Sequence, residues 1–296
     1  MQITIKDRKN SSSEIMAAVT SQMIELMETA GQNWKMPFSS LGRLPVNAVT
    51  SEEYRGNNSL LLMLGTEDAE FAGFHQWKSV GATVKKGEKG HIIVRPRMVK
   101  DKDDADKKKC IGFSHAYVFG RSQVDNAPAS IYEETRTDLT ESLQAADVFF
   151  NNVGAEVREN DGGRAFYTPN EDFISMPPRA AFSATATSTA TECYYGTLAH
   201  EHIHWTGRKT RLDRLRATTK ADKLYAFEEL VAELGASFLC IKLGISEQPR
   251  DDHAQYLNSW VQSLKDDPEV LWKAARDAQK AVDFLDNLQQ PAAKAA

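Results

Sequence analysis

Two histidines and a glutamate near the middle of the chain have the spacing of a metal-binding helix. His200, Glu201 and His204 form the pattern H-E-x-x-H within residues 189–207. On an α-helix, imidazoles four residues apart lie on one face and can bind one zinc ion, and the carboxylate between them can act on water at that metal. The pattern therefore predicts a metal site with Glu201 as the catalytic residue.

The residues around this pattern carry signals for the start and the end of a helix. Thr189 and Glu192 form a capping box, and Gly207 is predicted to end the helix in a left-handed conformation. A metzincin would have a third histidine three residues after this glycine, but that position is Thr210. The third metal ligand must therefore come from another part of the chain.

A second helical segment supplies carboxylates for that third position. Glu229 and Glu233 lie one turn apart and beside an apolar stripe, so both are expected to face the core, where a carboxylate needs a cation. We predict Glu229 as the third ligand and Glu233 as the acceptor that orients a ligating imidazole. The reverse assignment and a solvated face for both acids remain alternatives. His202 is predicted to support the site from outside the ligand set or to lie at the surface.

The predicted cofactor is one divalent transition metal ion. Two histidines and a carboxylate suit zinc, which we predict, but the same ligands would also accept manganese or cobalt. The ligand types do not decide between these metals, nor between a catalytic site and a structural one.

The composition is that of an ordinary globular protein with unevenly distributed charge. The 296 residues are 41% hydrophobic, and three cysteines without metal-ligand spacing favour a reducing compartment. No apolar run approaches the roughly 20 residues of a membrane span, so we expect a cytoplasmic protein with no membrane partner.

The charge is divided unequally between the two parts of the chain. Residues 1–127 hold 18 Lys and Arg against 15 Asp and Glu, a net charge of +3. Because the whole chain has a net charge of −5, the remainder has −8. The first part could therefore face a polyanion.

The order of predicted elements indicates an α+β fold with two domains. Residues 1–127 combine a helix over 14–30 with short β-like runs, residues 128–137 form a linker, and residues 138–296 form the second domain. The second domain is predicted to contain a helix at 138–153, a hairpin of 155–159 with 164–169, a further strand, the metal helix, the glutamate helix at 225–243, and helices at 251–265 and 268–288. This order is typical of a zincin catalytic domain.

Aromatic and basic residues of the first domain are of the types that bind single-stranded nucleic acid. Bases stack on rings and cations follow the phosphates, with stacking worth roughly 1–3 kcal/mol per base. The candidate residues are Trp34, Tyr54, Arg55, Asn58, Trp77, Lys85, Lys86 and Lys89. The two tryptophans could equally be core residues. The glycine and lysine turn at residues 81–90 is not a P-loop, because it lacks G-x-x-x-x-G-K-[ST].

Over nearly its whole length, the chain resembles the ArdC family of plasmid antirestriction proteins, whose relatives include conjugal-transfer primases of the TraC type. The segments that carry the resemblance are Trp34–Pro37, Pro45–Asn47, Tyr54–Asn58, Trp77, Gly81–Gly90, Thr197–Gly207, Arg211–Arg214 and Glu228–Phe238. The resemblance implies a single-stranded-DNA-binding domain followed by a metallopeptidase-like domain. Two residues depart from the family. His202 stands where members more often have an aliphatic residue, and Arg208 stands where many have histidine. Neither is a predicted ligand.

The resemblance implies a protein that shields DNA entering a new host by conjugation from restriction endonucleases. Mimicry of DNA is excluded as the mechanism, because a net charge of −5 with a positive first domain provides far too little anion. Occlusion of single-stranded DNA is the favoured alternative. The rival is a zinc metallopeptidase that cleaves a host protein, such as a restriction protein, and uses DNA binding only for targeting.

Overall fold

The computed structural model describes residues 12–30, 43–66, 68–100, 108–132, 139–184, 189–216, 223–245 and 253–289. The chain divides into two units, Met1–Met23 with Leu44–Arg136, and Ile24–Arg43 with Thr137–Ala296. Within the described ranges, no helix is both long and apolar enough to cross a membrane. Trp34 lies outside the described residues, so its predicted role stays a prediction.

The elements before residue 126 are short, apart from one helix and one long hairpin. In chain order they are α1 (Ser12–Ala30), β1 (Val46–Asn47), α2 (Asn57–Gly65), β2 (Glu70–Ala72), α3 (Phe74–Ser79), β3 (Thr83–Val84), β4 (His91–Lys100), β5 (Lys108–Gly120) and β6 (Val124–Asp125). In the part of the first unit that the structure describes, β1, β2, β5 and β4 form one sheet in that order, and β3 pairs with β6. The antiparallel hairpin of β4 and β5 is the largest part of the sheet.

One face of this hairpin is buried. Direct partners on antiparallel strands share a face, so Val118 faces the same side as His91, and Ala116 the same side as Ile93. On that side the buried cluster is Leu62, Phe71, Ile93 and Val118. Tyr117 and His115 alternate with these residues and therefore point to the opposite side of the sheet.

The second unit combines helices with a small sheet. Its elements after residue 138 are α4 (Leu139–Val153), β7 (Glu156–Glu159), β8 (Phe166–Thr168), β9 (Phe173–Met176), α5 (Ala190–Thr206), α6 (Lys223–Lys242), α7 (His253–Asp266) and α8 (Glu269–Asn287). The predicted hairpin of residues 155–159 with 164–169 is wrong, because β9 lies between β7 and β8. The reason is burial: Ile174 and Met176 of β9 are fully buried, whereas every residue of β7 is exposed, so β9 takes the central position.

Helix α5 begins as the sequence predicts but ends differently. The backbone amide of Glu192 donates to the Thr189 hydroxyl at 3.2 Å, and the amide of Thr189 donates back to the Glu192 carboxylate at 2.7 Å, which confirms the capping box. Gly207 is not left-handed, since its φ of −77° and ψ of −7° are helical. A Cβ at this position would lie 2.9 Å from Leu215 Cγ and 3.0 Å from Arg214 Nη2. The glycine therefore lets the following loop fold back onto the end of α5.

Helices α5 and α6 approach closely at a second glycine. A Cβ on Gly235 of α6 would lie 2.8 Å from Cδ1 and 2.9 Å from Cγ1 of Ile203 on α5. Ile203 is fully buried and has no space to move into. The absence of a side chain at Gly235 thus lets the two helices pack against each other along the faces that carry the predicted metal ligands.

Candidate metal centre

Helices α5 and α6 bring the predicted ligands to one point. Nε2 of His200 and Nε2 of His204 lie 3.0 Å apart. Oε2 of Glu229 lies 3.5 Å from the first of these nitrogens, and Oε1 of Glu229 lies 3.5 Å from the second. His200 and Glu229 are buried, and the side chain of His204 is only 12% exposed. A tetrahedral ion with bonds of about 2.0–2.1 Å needs ligand atoms about 3.3–3.4 Å apart, so these residues fit a metal ion without rearrangement of the helices.

Each imidazole has its own carboxylate on the side away from this point. Nδ1 of His200 lies 2.9 Å from Oε1 of Glu233, and Nδ1 of His204 lies 3.2 Å from Oε1 of Glu228. A carboxylate at Nδ1 places the ring proton on that nitrogen and leaves the Nε2 lone pair for a metal. Glu233 therefore lies at the position expected of an orienting acceptor, and Glu228 is its counterpart for the second histidine.

Glu228 is held in place by a buried arginine. Arg214 donates from Nε to Oε2 of Glu228 at 2.9 Å and from Nη2 to Oε1 at 2.8 Å. The same guanidinium donates to the Ile203 carbonyl at 2.8 Å and to the Thr206 hydroxyl at 3.1 Å. These bonds tie the loop after α5 to the last turn of α5 and to α6. The orientation of His204 therefore depends on a side chain that does not itself face the metal point.

Sequence reasoning assigned no role to this pair. Arg214 belongs to a segment that resembles the family, and no motif in that segment gives it an individual role. Glu228 neighbours a predicted ligand along the chain and therefore lies about 100° away from it around the helix, so the periodicity that selects Glu229 and Glu233 does not select it. A pairing that depends on a loop returning to a helix has no local sequence signal.

The site concentrates negative charge in a buried place. Burial by itself raises the pKa of Glu229, but the imidazoles of His204 and His200 lower it by more, so that the net pKa lies below the ordinary value. For Glu228, burial again raises the pKa, while hydrogen bonds from His204 and Arg214 outweigh that effect and lower it. Both carboxylates are therefore anionic near neutral pH. Such a set of buried carboxylates and imidazoles favours a divalent cation.

Glu201 and His202, the two polar residues between the histidine ligands, have different surroundings. Glu201 is 2% exposed and, three residues before His204, lies on the same side of α5. His202 is fully buried, its ring lies 4.7 Å from that of Phe150, and its Nδ1 donates to the Leu198 carbonyl at 2.8 Å. Burial lowers the pKa of His202 to about 4. His202 is thus a neutral core residue, and its predicted supporting or surface role is wrong.

An ionic network connects the small sheet to the end of α5. Arg211 donates to Oδ2 of Asp172 at 3.1 Å and to the Tyr167 hydroxyl at 2.9 Å, and its guanidinium lies 3.8 Å from the centre of the Trp205 ring. Arg208 also pairs with Asp172. Burial and a hydrogen bond to Asp172 raise the pKa of Tyr167 to about 12. The turn between β8 and β9 is thereby fixed to the metal helix.

In the first unit, two predicted nucleic-acid residues have structural roles instead. Trp77 is fully buried, and its Nε1 donates to the Phe119 carbonyl at 2.9 Å, so its ring has no free face for a base and the stacking prediction is wrong. The side chain of Asn58 donates to the Val94 carbonyl and accepts from the Val94 amide, both at 2.9 Å. This amide holds α2 to β4 and is not available to bind a nucleotide.

The remaining predicted residues lie at or near the surface. Tyr54 is half-buried, packs edge-on against Phe71 and accepts a hydrogen bond from Asn47 at 3.3 Å. The exposed cationic residues are Arg55, Lys85, Lys86 and Lys89. For these five residues, nucleic-acid binding stays a prediction.

Comparisons with known proteins agree with this two-part architecture. Residues 13–145 match the family described as the N-terminal domain of anti-restriction factor ArdC, and residues 144–277 match the family described as zincin-like metallopeptidase. A crystal structure of the antirestriction protein ArdC from plasmid R388, with Mn(II) bound, superimposes with a TM-score of 0.76 at 33% identity and covers 94% of this chain and 99% of that chain. The chain belongs to the ArdC antirestriction family. The α+β fold with an ArdC-type domain before a zincin-like domain is therefore confirmed.

Other members and relatives of the ArdC family extend this result. The metal-free structure of the R388 protein has a TM-score of 0.75 at 33% identity and covers 93% of this chain and 98% of that one. The uncharacterized protein y4eC of Sinorhizobium fredii is 32% identical over 94% of both chains. Two DNA primases TraC of Escherichia coli are 31% and 30% identical over 90% of this chain. The chain spans only 19% and 26% of the length of these primases.

Proposed function

We propose that this protein binds single-stranded DNA through its N-terminal unit and protects plasmid DNA that enters a new host by conjugation from restriction endonucleases. The observation that carries the proposal is the match to an antirestriction protein along 94% of the chain, which includes both units. The net charge of +3 in residues 1–127 and the exposed Lys85, Lys86 and Lys89 are consistent with a polyanion as ligand. Protection follows from occlusion of the DNA, since the chain is not acidic enough to mimic it.

The C-terminal unit is proposed to bind one divalent ion, with zinc as the native metal and manganese or cobalt as accepted substitutes. The R388 protein was crystallised with Mn(II). His200, His204 and Glu229 would hold the ion, which supplies a Lewis acid that makes water in the site more acidic. Glu201, buried beside the two histidine ligands, is the carboxylate available to accept a proton there.

A salt titration of DNA binding tests the proposal. The full chain should bind a single-stranded oligonucleotide more tightly than a duplex, with log K falling against log salt by about 0.7 per phosphate neutralised. Replacing Lys85 and Lys86 by alanine should flatten that slope. A matched variant with Lys273 and Lys280 replaced by alanine, one partly exposed and one exposed lysine of the other unit, should keep the slope. A preference for duplex, or no binding at low salt, would contradict the proposal.

The second candidate function is an active metallopeptidase that cleaves a host protein. The observation in its favour is the buried Glu201 between two histidines that face a metal point, in a domain of zincin type. The two functions differ in what a Glu201→Gln variant does in a conjugation assay with a restricting recipient. Under occlusion, the variant keeps its metal and its DNA binding and protects as well as wild type. If protection is lost while both bindings are retained, proteolysis is the mechanism.

A further inference from the structure

The side of the β4–β5 hairpin opposite the cluster of Leu62, Phe71, Ile93 and Val118 carries a row of aromatic rings. We propose that the bases of single-stranded DNA stack on this aromatic row, which consists of Phe74, His115, Tyr117 and Phe119. The inference rests on the proposed function, and it adds the surface on which the bases bind. It also replaces Trp77, the ring that sequence reasoning selected, with rings that solvent reaches.

Strand geometry places three of these rings on one side of the sheet. His115, Tyr117 and Phe119 alternate along β5 with Ala116 and Val118, which face the buried cluster. The rings of His115 and Tyr117 meet edge-on with centroids 5.8 Å apart. At two residues per ring, a strand spaces these side chains by about 6.6–6.8 Å, so the three rings follow one another along one side of β5.

The first residue of α3 extends the row. The Phe74 ring meets that of Phe119 with centroids 6.4 Å apart. Phe74 is 50% exposed and Tyr117 is 37% exposed, whereas Phe119 is partly buried against the cluster that contains Trp77. Because Trp77 also donates its Nε1 proton to the Phe119 carbonyl, the core tryptophan fixes the backbone beneath the row. Phe74 and Tyr117 are thus the members of the row that solvent reaches most, and they stand on a rigid support.

A basic turn lies next to the row. A Cβ on Gly90 would lie 2.9 Å from Cβ of Tyr117, so the backbone at residue 90 passes directly beside that ring. Lys89 comes immediately before this glycine, and Lys85 and Lys86 belong to the same turn. The lysine turn and the aromatic row are therefore neighbours in space, although the sequence separates them by about 30 residues.

Buried Gln123 holds the lysine turn in place. Its side-chain amide donates to the Lys89 carbonyl at 2.9 Å and to the Glu88 carboxylate at 2.8 Å. The main-chain carbonyl of Gln123 accepts from the main-chain amide of Lys85 at 3.0 Å. Nζ of Lys85 donates to the Ser122 carbonyl at 2.8 Å. The position of the turn relative to the row is thus set before any ligand binds, which reduces the entropy lost on binding.

Rings beside a fixed cationic turn favour single strands over duplex DNA and over polyanions without bases. Base–aromatic stacking tolerates any sequence because every base has a π-face, while lysines follow the phosphates. A duplex offers its phosphates but keeps its base faces stacked inside the helix, so it can use the lysine turn but not the row. The row therefore accounts for a preference for single strands that charge alone does not give.

Abasic oligonucleotides test this inference with the full chain. The probes are a fluorescent thymidine oligonucleotide and an abasic strand of the same length, which keeps the phosphates and lacks the bases. Wild type should bind the abasic strand more weakly. Phe74→Ala and Tyr117→Ala should each weaken binding of the thymidine strand by about 5- to 100-fold and reduce the difference between the two probes. Tyr117→Phe should retain binding, because it keeps the ring.

The control is another exposed ring on a strand. Phe166 of β8, in the other unit, is 48% exposed, and Phe166→Ala should change neither probe. If Tyr117→Ala and Phe74→Ala are folded and bind both strands as wild type does, the inference is wrong while the proposed function stands. If wild type binds neither strand at low salt, the proposed function fails and the inference falls with it.

Discussion

A variant in which His200 and His204 are both replaced by alanine is expected to bind no divalent metal. The change removes two of the three buried ligand atoms that lie within 4.8 Å of one another. Wild type, purified without chelator, should contain about one ion per chain. Metal analysis of both proteins after gel filtration is the direct measurement, and a full complement in the double variant would contradict the assigned site.

The same variant is expected to lose the effect of metal on stability. An ion that binds only the folded state stabilises it by RT ln(1 + [L]/Kd), about 2.7 kcal/mol when the free ion is at a hundred times Kd. For a unit of this size, that corresponds to a Tm about 5–10 °C higher. Addition of EDTA should therefore lower the Tm of wild type and leave that of the double variant unchanged. Glu201→Gln, which keeps all three ligands, should respond to EDTA as wild type does.

Replacing Arg214 by glutamine is expected to weaken metal binding by about 10- to 100-fold, although Arg214 does not face the metal. The guanidinium holds Glu228 in position at Nδ1 of His204, and loss of partners outside the ligand set typically costs this much affinity. Competition with a chromophoric chelator for Zn²⁺ or Mn²⁺ gives the affinities. Glu228→Gln should show a similar loss of metal affinity. The amide can still orient the imidazole, but it lacks the negative charge that makes the imidazole a stronger ligand.

Arg216 provides the control for this experiment. Its side chain is 54% exposed and pairs with Asp213 at the surface, two residues along from Arg214. Arg216→Gln should bind metal as wild type does. Equal affinities for Arg214→Gln and Arg216→Gln, with both proteins folded by circular dichroism, would show that the Glu228 contact does not set the geometry of His204.

The metal helix was predictable because its signals are local. The capping box and the H-E-x-x-H spacing join residues three or four positions apart, and the geometry of an α-helix decides where such residues lie. The same holds for the pair of Glu229 and Glu233 on α6. The contact between Glu228 and Arg214 was not predictable, since it depends on the loop that Gly207 allows to fold back. Gly207 marked the correct helix end, but its small size rather than a left-handed backbone explains why a glycine is there.

The errors in the rest of the chain have one physical cause. Strand order in the small sheet follows from which strand is buried, and only the tertiary packing of Ile174 and Met176 places β9 in the centre. Likewise, Trp77 and Tyr117 are both aromatic residues in β-like surroundings, and residue type does not show which ring is in the core and which faces solvent. The family and its two domains were predictable from motifs, whereas exposure was not.

The pairing of His204 with Glu228 also bears on how the protein folds. These residues are 24 positions apart, and His200 and His204 lie on one helix. Closing a loop of about this length costs little more entropy than closing a much shorter one, because the cost grows only with the logarithm of loop length. Contacts at short sequence separation also tend to form early. The metal-binding face of α5 and α6 therefore rests on contacts of short sequence separation, which favours early pairing of these two helices as the chain folds.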